Sequence, residues 1–269
     1  MLAIPAANAI GRSLILRREE VFVGLWNRNG KFKRTINSPR MYDTVLCIPY
    51  RNRKHQLDYF LEHSVPAIEA HAGAVHFVII EQSEDGQLFN RGKLLNVAFK
   101  EFETRAVHCM THDVDINPKD ERVLTQYGIP IEENAVLGIY TSSCNTLGGI
   151  VKCRLSTMKK CNGFPNDFWG WGVEDKALQN RCEVNQITIR KTILNNDPLR
   201  AFYFTIFNDV EDRVKSDDFT ARTHHEYNRT MTLDERKVQI ESNGLSNVSY
   251  KILRTTLVSP NVTHLLVEL

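Results

Sequence analysis

Asp113-Val114-Asp115 directly follows the apolar run Ala106–Met110, so two carboxylates at period two stand at the end of a strand predicted to be buried. Uncompensated acids there are costly, and two that can address one hydrated ion point to a hard divalent cation. His224 and His225, in the polar loop 220–225, offer an imidazole to the same ion. Carboxylate plus imidazole with open water positions suits Mn2+, with Mg2+ the weaker alternative. The plainer reading of paired histidines in a polar loop is that they are solvated.

The second informative stretch is Phe164-Pro165-Asn166-Asp167-Phe168-Trp169-Gly170-Trp171-Gly172-Val173-Glu174-Asp175. Gly170 and Gly172 leave the backbone around Trp171 free and expensive to order, so this tryptophan reads as a mobile aromatic rather than core. Glu174 and Asp175 open a helix predicted to run through Arg181, at the end where negative charge is favoured. Taken alone, the stretch could be a glycine-rich turn before an acidic helix start. Arg51, Arg53, Arg91 and Lys93 project from neighbouring strand ends and could receive a diphosphate, or could form a solvated basic rim. Together, a cation, an anion cradle, an aromatic lid and an acid pair describe transfer from a nucleotide-diphosphate donor. The cation would neutralise the leaving diphosphate. One carboxylate would take the proton of an acceptor hydroxyl attacking the opposite face of the sugar, which inverts the anomeric centre. Metal-dependent phosphoester hydrolysis could use the same acids and arginines but needs no Gly-Trp-Gly lid. A non-catalytic sugar-binding module is opposed by the joint presence of Asp115 and Asp175.

These residues must be held by strands and helices in alternation. Thr44–Ile48, His76–Ile80 and Ala106–Met110 are apolar runs of strand length, while Gln56–Ala70 and Lys93–Glu103 have helical spacing. Strand, helix, strand, helix, strand predicts a parallel α/β sheet with right-handed crossovers, whose ligands sit beyond the carboxyl ends of the strands. The segments after the three strands are Pro49-Tyr50-Arg51-Asn52-Arg53, the loop ending Phe89-Asn90-Arg91-Gly92-Lys93, and His112-Asp113-Val114-Asp115. From about Cys144 onward short strands and helices mix without a clean period, and this part reads as the acceptor-facing half of the same domain. Residues 1–42 form an N-terminal extension whose Val21–Trp26 run, Asn29-Gly30 and basic stretch suggest a hairpin.

Composition narrows the classes. Thirty-four Lys and Arg against 32 Asp and Glu leave a net charge of +2, too balanced for charge-driven binding to nucleic acid or a membrane surface. Six cysteines with no Cys-x-x-Cys pair argue against structural zinc, and Cys47 and Cys109 read as small core residues. No segment reads as a signal peptide or a membrane span, which by sequence places the chain in the cytoplasm.

With those residues in view, the sequence from about 44 to 257 resembles the β-1,4-galactosyltransferase family, inverting glycosyltransferases of the GT-A fold. The carriers, in family order, are Pro49-Tyr50-Arg51-Asn52-Arg53, Phe89-Asn90-Arg91-Gly92-Lys93-Leu94-Leu95-Asn96, Asp113-Val114-Asp115, Gly148-Gly149, Gly163-Phe164-Pro165-Asn166 with Trp169 to Asp175, and Ser242-Asn243-Gly244-Leu245. The resemblance implies a single Rossmann-like GT-A domain over 43–269. Its central, mostly parallel sheet would carry a nucleotide-binding half, 43–118, and a mixed α+β acceptor half, 119–269. It implies galactose transfer from UDP-galactose to a saccharide or glycoconjugate hydroxyl with β linkage, β-1,4 foremost, using Mn2+.

The implied donor site is Pro49, Tyr50, Arg51, Arg53, Phe89, Arg91, Asp113, Val114, Gly170, Trp171 and Gly172. Asp115 with His224 or His225 would ligate the metal, Glu174 would contact the donor sugar, and Asp175 would be the catalytic base. Thr146, Trp171, Asp175 and Lys176 would meet the acceptor. The chain departs from the family pattern at two of these positions. Lys176 stands where a further acid is usual, which suits an acidic acceptor, and Thr146 stands where many members carry a tyrosine that disfavours an N-acetyl group. UDP-GalNAc is therefore the alternative donor. Family members are usually anchored in the Golgi, so the Golgi lumen is the expected location for a trimmed member.

Overall fold

The computed structural model describes residues 42–207 and 232–269 in full and, before them, three strands of the N-terminal segment. The expected metal ligands His224 and His225 lie outside the described residues. The chain divides into two compact units, Met1–Met41 and Tyr42–Leu269. In the first, β1 (Ser13–Arg17), β2 (Glu20–Trp26) and β3 (Phe32–Thr35) pair antiparallel in that order. β2 pairs with β3, Trp26 opposite Phe32, and with β1 on its other side.

The second unit starts with β4 (Tyr42–Tyr50), α1 (Lys54–Tyr59), one π-helical turn (Phe60–Ser64), α2 (Val65–Ala72) and β5 (Val75–Gln82). It continues with α3 (Arg91–Glu101), β6 (Ala106–Thr111), β7 (Ile116–Pro118), α4 (Glu121–Gly128), β8 (Ala135–Thr141), β9 (Ile150–Arg154) and α5 (Leu155–Lys160). Then come α6 (Glu174–Val184), β10 (Thr188–Leu194), α7 (Arg200–Tyr203), β11 (Phe204–Ile206), α8 (Leu233–Ser242), β12 (Lys251–Ser259) and β13 (Val262–Glu268).

Eight of these strands make one sheet in the order β10-β8-β9-β6-β4-β5-β13-β12, while β7 and β11 pair separately. Strands β6, β4, β5 and β13 are mutually parallel, β10 is parallel to β8, and β9 and β12 run antiparallel to their neighbours. Period-two alternation splits the strands between two cores. Val45, Cys47, Val78 and Ile80 pack with Leu94, Leu95 and Phe99 of α3. Leu46, Ile48, Phe77 and Ile79 pack with Leu57, Phe60 and Ile68 of the α1–α2 segment. Successive connections thus cover opposite faces, because the chain steps from β4 to β5 and then back past β4 to β6. That reversal opens a crevice at the carboxyl ends of β4 and β6.

Candidate active site

A cleft of about 780 Å³ lies there. Its lining includes Pro49, Arg51 and Arg53 after β4, Phe89 and Arg91 before and at the start of α3, and Asp113, Val114 and Asp115 after β6. Thr146, Gly170, Trp171, Gly172, Glu174, Asp175 and Lys176 complete the side supplied by the second half of the chain. Every expected site residue among those described lines this cleft except Tyr50 and Lys93. Alternation along β4 turns Tyr50 into the core with Leu46 and Ile48, its ring edge-on to His264 at 6.3 Å.

Two further expectations are corrected. Asp113-Val114-Asp115 does not extend the strand; it turns, with the Ile116 N–H donating to the Asp113 carbonyl at 3.2 Å, because Val114 is drawn into the core beneath it. The carboxylates therefore part. Asp113 accepts from Arg91 Nε at 2.8 Å, whereas Asp115 Oδ2 meets Arg53 Nη1 at 3.5 Å. Lys93 does not join the basic cluster either. It is buried on α3 with its ammonium 5.5 Å from the Trp169 ring centre, so it supports the aromatic segment from behind.

Arg91 is the electrostatic centre of the site. Nη2 lies 2.7 Å from Asp113 Oδ1 and Nη1 3.8 Å from Glu174 Oε1. Burial works against its charge, but the surrounding carboxylates raise its pKa above the ordinary value. Nη1 is nevertheless buried beyond hydrogen-bond reach of Glu174, and such a donor at a cleft wall suits an incoming anion. Arg51 donates to the Gln87 carbonyl at 2.9 Å and stands 5.5 Å over the Phe89 ring, leaving an aromatic and a cation side by side for a base and its phosphates.

The loop carrying Trp171, Glu174 and Asp175 is held by three motifs that are far apart in sequence. Asn96 of α3 takes both backbone polar groups of Phe164, at 2.7 and 2.9 Å. The Asn90 side chain caps α3 at Lys93 N and donates to the Asn166 carbonyl. Asn166 in turn donates through N to Asn243 Oδ1 and through Nδ2 to the Gly244 carbonyl. Gly92 permits the approach, since a Cβ there would stand 3.0 Å from Phe164 Cβ. Gly170 and Gly172 take positive φ, as does Val173 at φ 66°, a conformation costing a β-branched residue about 1–3 kcal/mol. That strained residue is the N-cap of α6 and sets the direction in which Glu174 and Asp175 leave the loop.

Asp175 Oδ2 accepts from Ser142 Oγ at 3.0 Å and Oδ1 from the Lys176 N–H at 2.7 Å. Ser142 Oγ also meets Thr146 Oγ1 at 2.8 Å, so Thr146 is tied to the residue that anchors Asp175. Gly148 is needed for this closeness, because a Cβ would stand 2.6 Å from Asp175 Oδ2. With Asp175 as the expected base, Gly148→Ala, which displaces its carboxylate, should reduce turnover about a hundredfold, as steady-state kinetics would read. Burial pushes the Glu174 carboxyl from 4.5 up to about 7, with the Asp175 charge adding to the rise and Arg91 opposing it. The folded carboxyl holds its proton more tightly than the unfolded one, so stability from this group falls as pH rises through about 4.5–7. Glu174→Gln should flatten the pH dependence of the urea midpoint in that window; an unchanged slope would assign it to another group.

Tyr140, Ser142, Ser143, Asn195 and Ile206 also line the cleft and were not read from the sequence. No motif marks them. Ser142 follows the last residue of β8, so the strand-end rule would have found it had β8 been recognised. As a metal donor, Asp115 fits: it is a hard oxygen ligand on the cleft wall. Among the described residues no three His, Cys, Asp or Glu side chains gather to hold an ion by themselves.

Comparison with known proteins points one way. The profile described as the N-terminal region of glycosyl transferase group 7 matches residues 19–127, and that described as the N-terminal domain of galactosyltransferase matches 132–198. Rat β-1,4-galactosyltransferase 6 is 37% identical over 161 residues, 57% of this chain and 41% of that protein. Mouse β-1,4-galactosyltransferase 2 is 29% identical over 234 residues, 84% of this chain and 59% of that protein. The chain thus spans about half the length of the curated relatives it matches. The crystal structure of a mutant Drosophila β-1,4-galactosyltransferase 7 with manganese, UDP-Gal and xylobiose superposes with a TM-score of 0.68 at 26% identity, over 85% of this chain and 94% of that one. The fold is that of GT-A glycosyltransferases.

Proposed function

Because the chain belongs to the glycosyl transferase group 7 family, we propose that it moves galactose from UDP-galactose to a saccharide hydroxyl with inversion, forming a β linkage, β-1,4 foremost. One observation carries this reading: the carboxylates of Asp115 and Asp175 and the indole of Trp171 line a single cleft.

Arg51 and Phe89 receive the nucleotide, with Pro49 and Val114 shaping that wall, and Arg53 and Arg91 receive the diphosphate. Asp113 holds Arg91 in place for that task. The Drosophila relative was solved with manganese and UDP-Gal, and here Asp115 with His224 or His225 would hold Mn2+. When bound, that ion supplies positive charge against the leaving diphosphate. Trp171 turns on Gly170 and Gly172 to cover the donor and exclude water. Glu174 contacts the donor sugar. Asp175, steadied by Ser142, takes the proton of the acceptor hydroxyl as it attacks. Lys176, exposed beside the base, gives the acceptor side a positive charge and favours an acidic saccharide.

The test is UDP release by the purified chain from a panel of UDP-sugars, with and without Mn2+, and with neutral and acidic saccharides. Turnover with UDP-Gal that needs Mn2+ and is accelerated by an acceptor supports the reading. UDP binding without turnover of any donor would favour a sugar-binding module. Transfer from UDP-GalNAc is the second reading, favoured by the small Thr146 on the cleft wall. Thr146→Tyr should then suppress UDP-GalNAc use at least tenfold relative to UDP-Gal, the order expected when a pocket loses room for a few heavy atoms.

A further inference from the structure

Of the five cysteines buried in one core cluster, four stand close to another cysteine: Cys109, Cys153, Cys161 and Cys182. They face each other in two pairs, with Sγ–Sγ distances of 3.6 Å for Cys109 and Cys153 and 3.5 Å for Cys161 and Cys182. The first pair is directly opposed on β6 and β9, where ladder hydrogen bonds fix both backbones. The second pair is placed differently. Cys161 caps the C-terminus of α5 and Cys182 lies on α6, so the chain between them is the loop bearing Trp171 and the first turns of α6, which carry Glu174 and Asp175. A clasp already closes the base of this loop: fully buried Arg181 donates from Nη1 to the carbonyls of Asn162 and Gly163, at 3.1 and 3.3 Å.

We propose that Cys161 and Cys182 are a disulfide site that covalently closes the base of the Trp171–Asp175 loop. The sulfurs need to approach from 3.5 Å to about 2.05 Å, which a helix-end residue can supply by small rotations. The oxidant is a disulfide, either of the glutathione class or on a protein. One cysteine thiolate attacks it, releasing the first thiol and leaving a mixed disulfide; the other cysteine sulfur then displaces the second thiol. Two electrons pass to the oxidant, and the two cysteine protons are balanced by those on the two released thiols. The hydrogen bond with Cys161 and burial push the Cys182 thiol well up, so exchange is slow in the closed protein and the bond forms while the loop is open. Once closed, the bond is shielded from reductant by the same burial. It would remove the freedom of a loop of about 20 residues from the unfolded chain and raise Tm by roughly 5–10 °C.

The purified chain, incubated in mild urea with glutathione disulfide and returned to buffer, is alkylated and mapped by mass spectrometry beside a sample kept in excess reductant. The expected result is two fewer alkylated cysteines than the reduced sample's six, a linked peptide joining Cys161 to Cys182, and the rise in Tm. Cys161→Ala and Cys182→Ala, each compared with its own reduced form, should lose that oxidation-dependent rise, so any cavity they leave does not enter the comparison. Six alkylated cysteines after oxidation, or linkage of any other pair, Cys109 with Cys153 included, would overturn the proposal.

Discussion

Asp175→Asn is expected to lower kcat by about 10²–10⁴-fold while leaving UDP affinity within a factor of two or so, the effect of removing a general base that makes no contact with the nucleotide. The amide keeps the shape of the side chain and can still accept from Ser142 through its oxygen. It has no basicity toward an acceptor hydroxyl. The result to compare is Ser142→Ala, which keeps the carboxylate but loosens it and should cost far less. Turnover by Asp175→Asn equal to that of the unsubstituted chain would remove Asp175 from the mechanism and leave Glu174 as the candidate base.

Arg91→Met should damage stability and donor binding together. Methionine fills much of the same volume, but Asp113 and Glu174 would lose the cation between them, and breaking a largely buried charge cluster costs about 3 kcal/mol where water screens part of it. The same substitution removes the guanidinium, including Nη1, the buried donor with no hydrogen bond, so UDP affinity should fall roughly ten- to a hundredfold. Chemical denaturation reads the first effect and UDP titration the second. Arg91→Lys separates them: it restores a charge near Asp113 but no planar fork, so stability should recover more than affinity. Full affinity in Arg91→Met would move the diphosphate elsewhere in the cleft.

The sequence made the first half of the site legible because its chemistry is local to strand ends. β4, β5 and β6 are short apolar runs flanked by helical spacing, and the residues after them are where an open α/β sheet binds ligands. The helix-opening acids at 174 and 175 were legible for the same reason, since α6 begins at Glu174. What stayed hidden depends on contacts between distant segments. β13 inserts beside β5 in parallel register, pairing Val262 with Phe77, and nothing in either run announces the other. The hub at Asn166 is of the same kind, as is Ser142, whose meaning appears only once β8 delivers it to Asp175. Tyr50 and Lys93 misled because residue type suggested a binding role, while strand alternation and helix burial turned both side chains inward.

Inverting transfer at a centre held between Asp115, Trp171 and Asp175 would be recorded in the anomeric configuration of the product. The purified chain is incubated with UDP-Gal, Mn2+ and the saccharide that accelerates UDP release, and the new linkage is read from its anomeric proton coupling by NMR. UDP-Gal carries an α-linked sugar, so base-assisted attack from the opposite face predicts a β-linked galactoside. An α-linked product, or free galactose and UDP with the acceptor unchanged, would contradict the account.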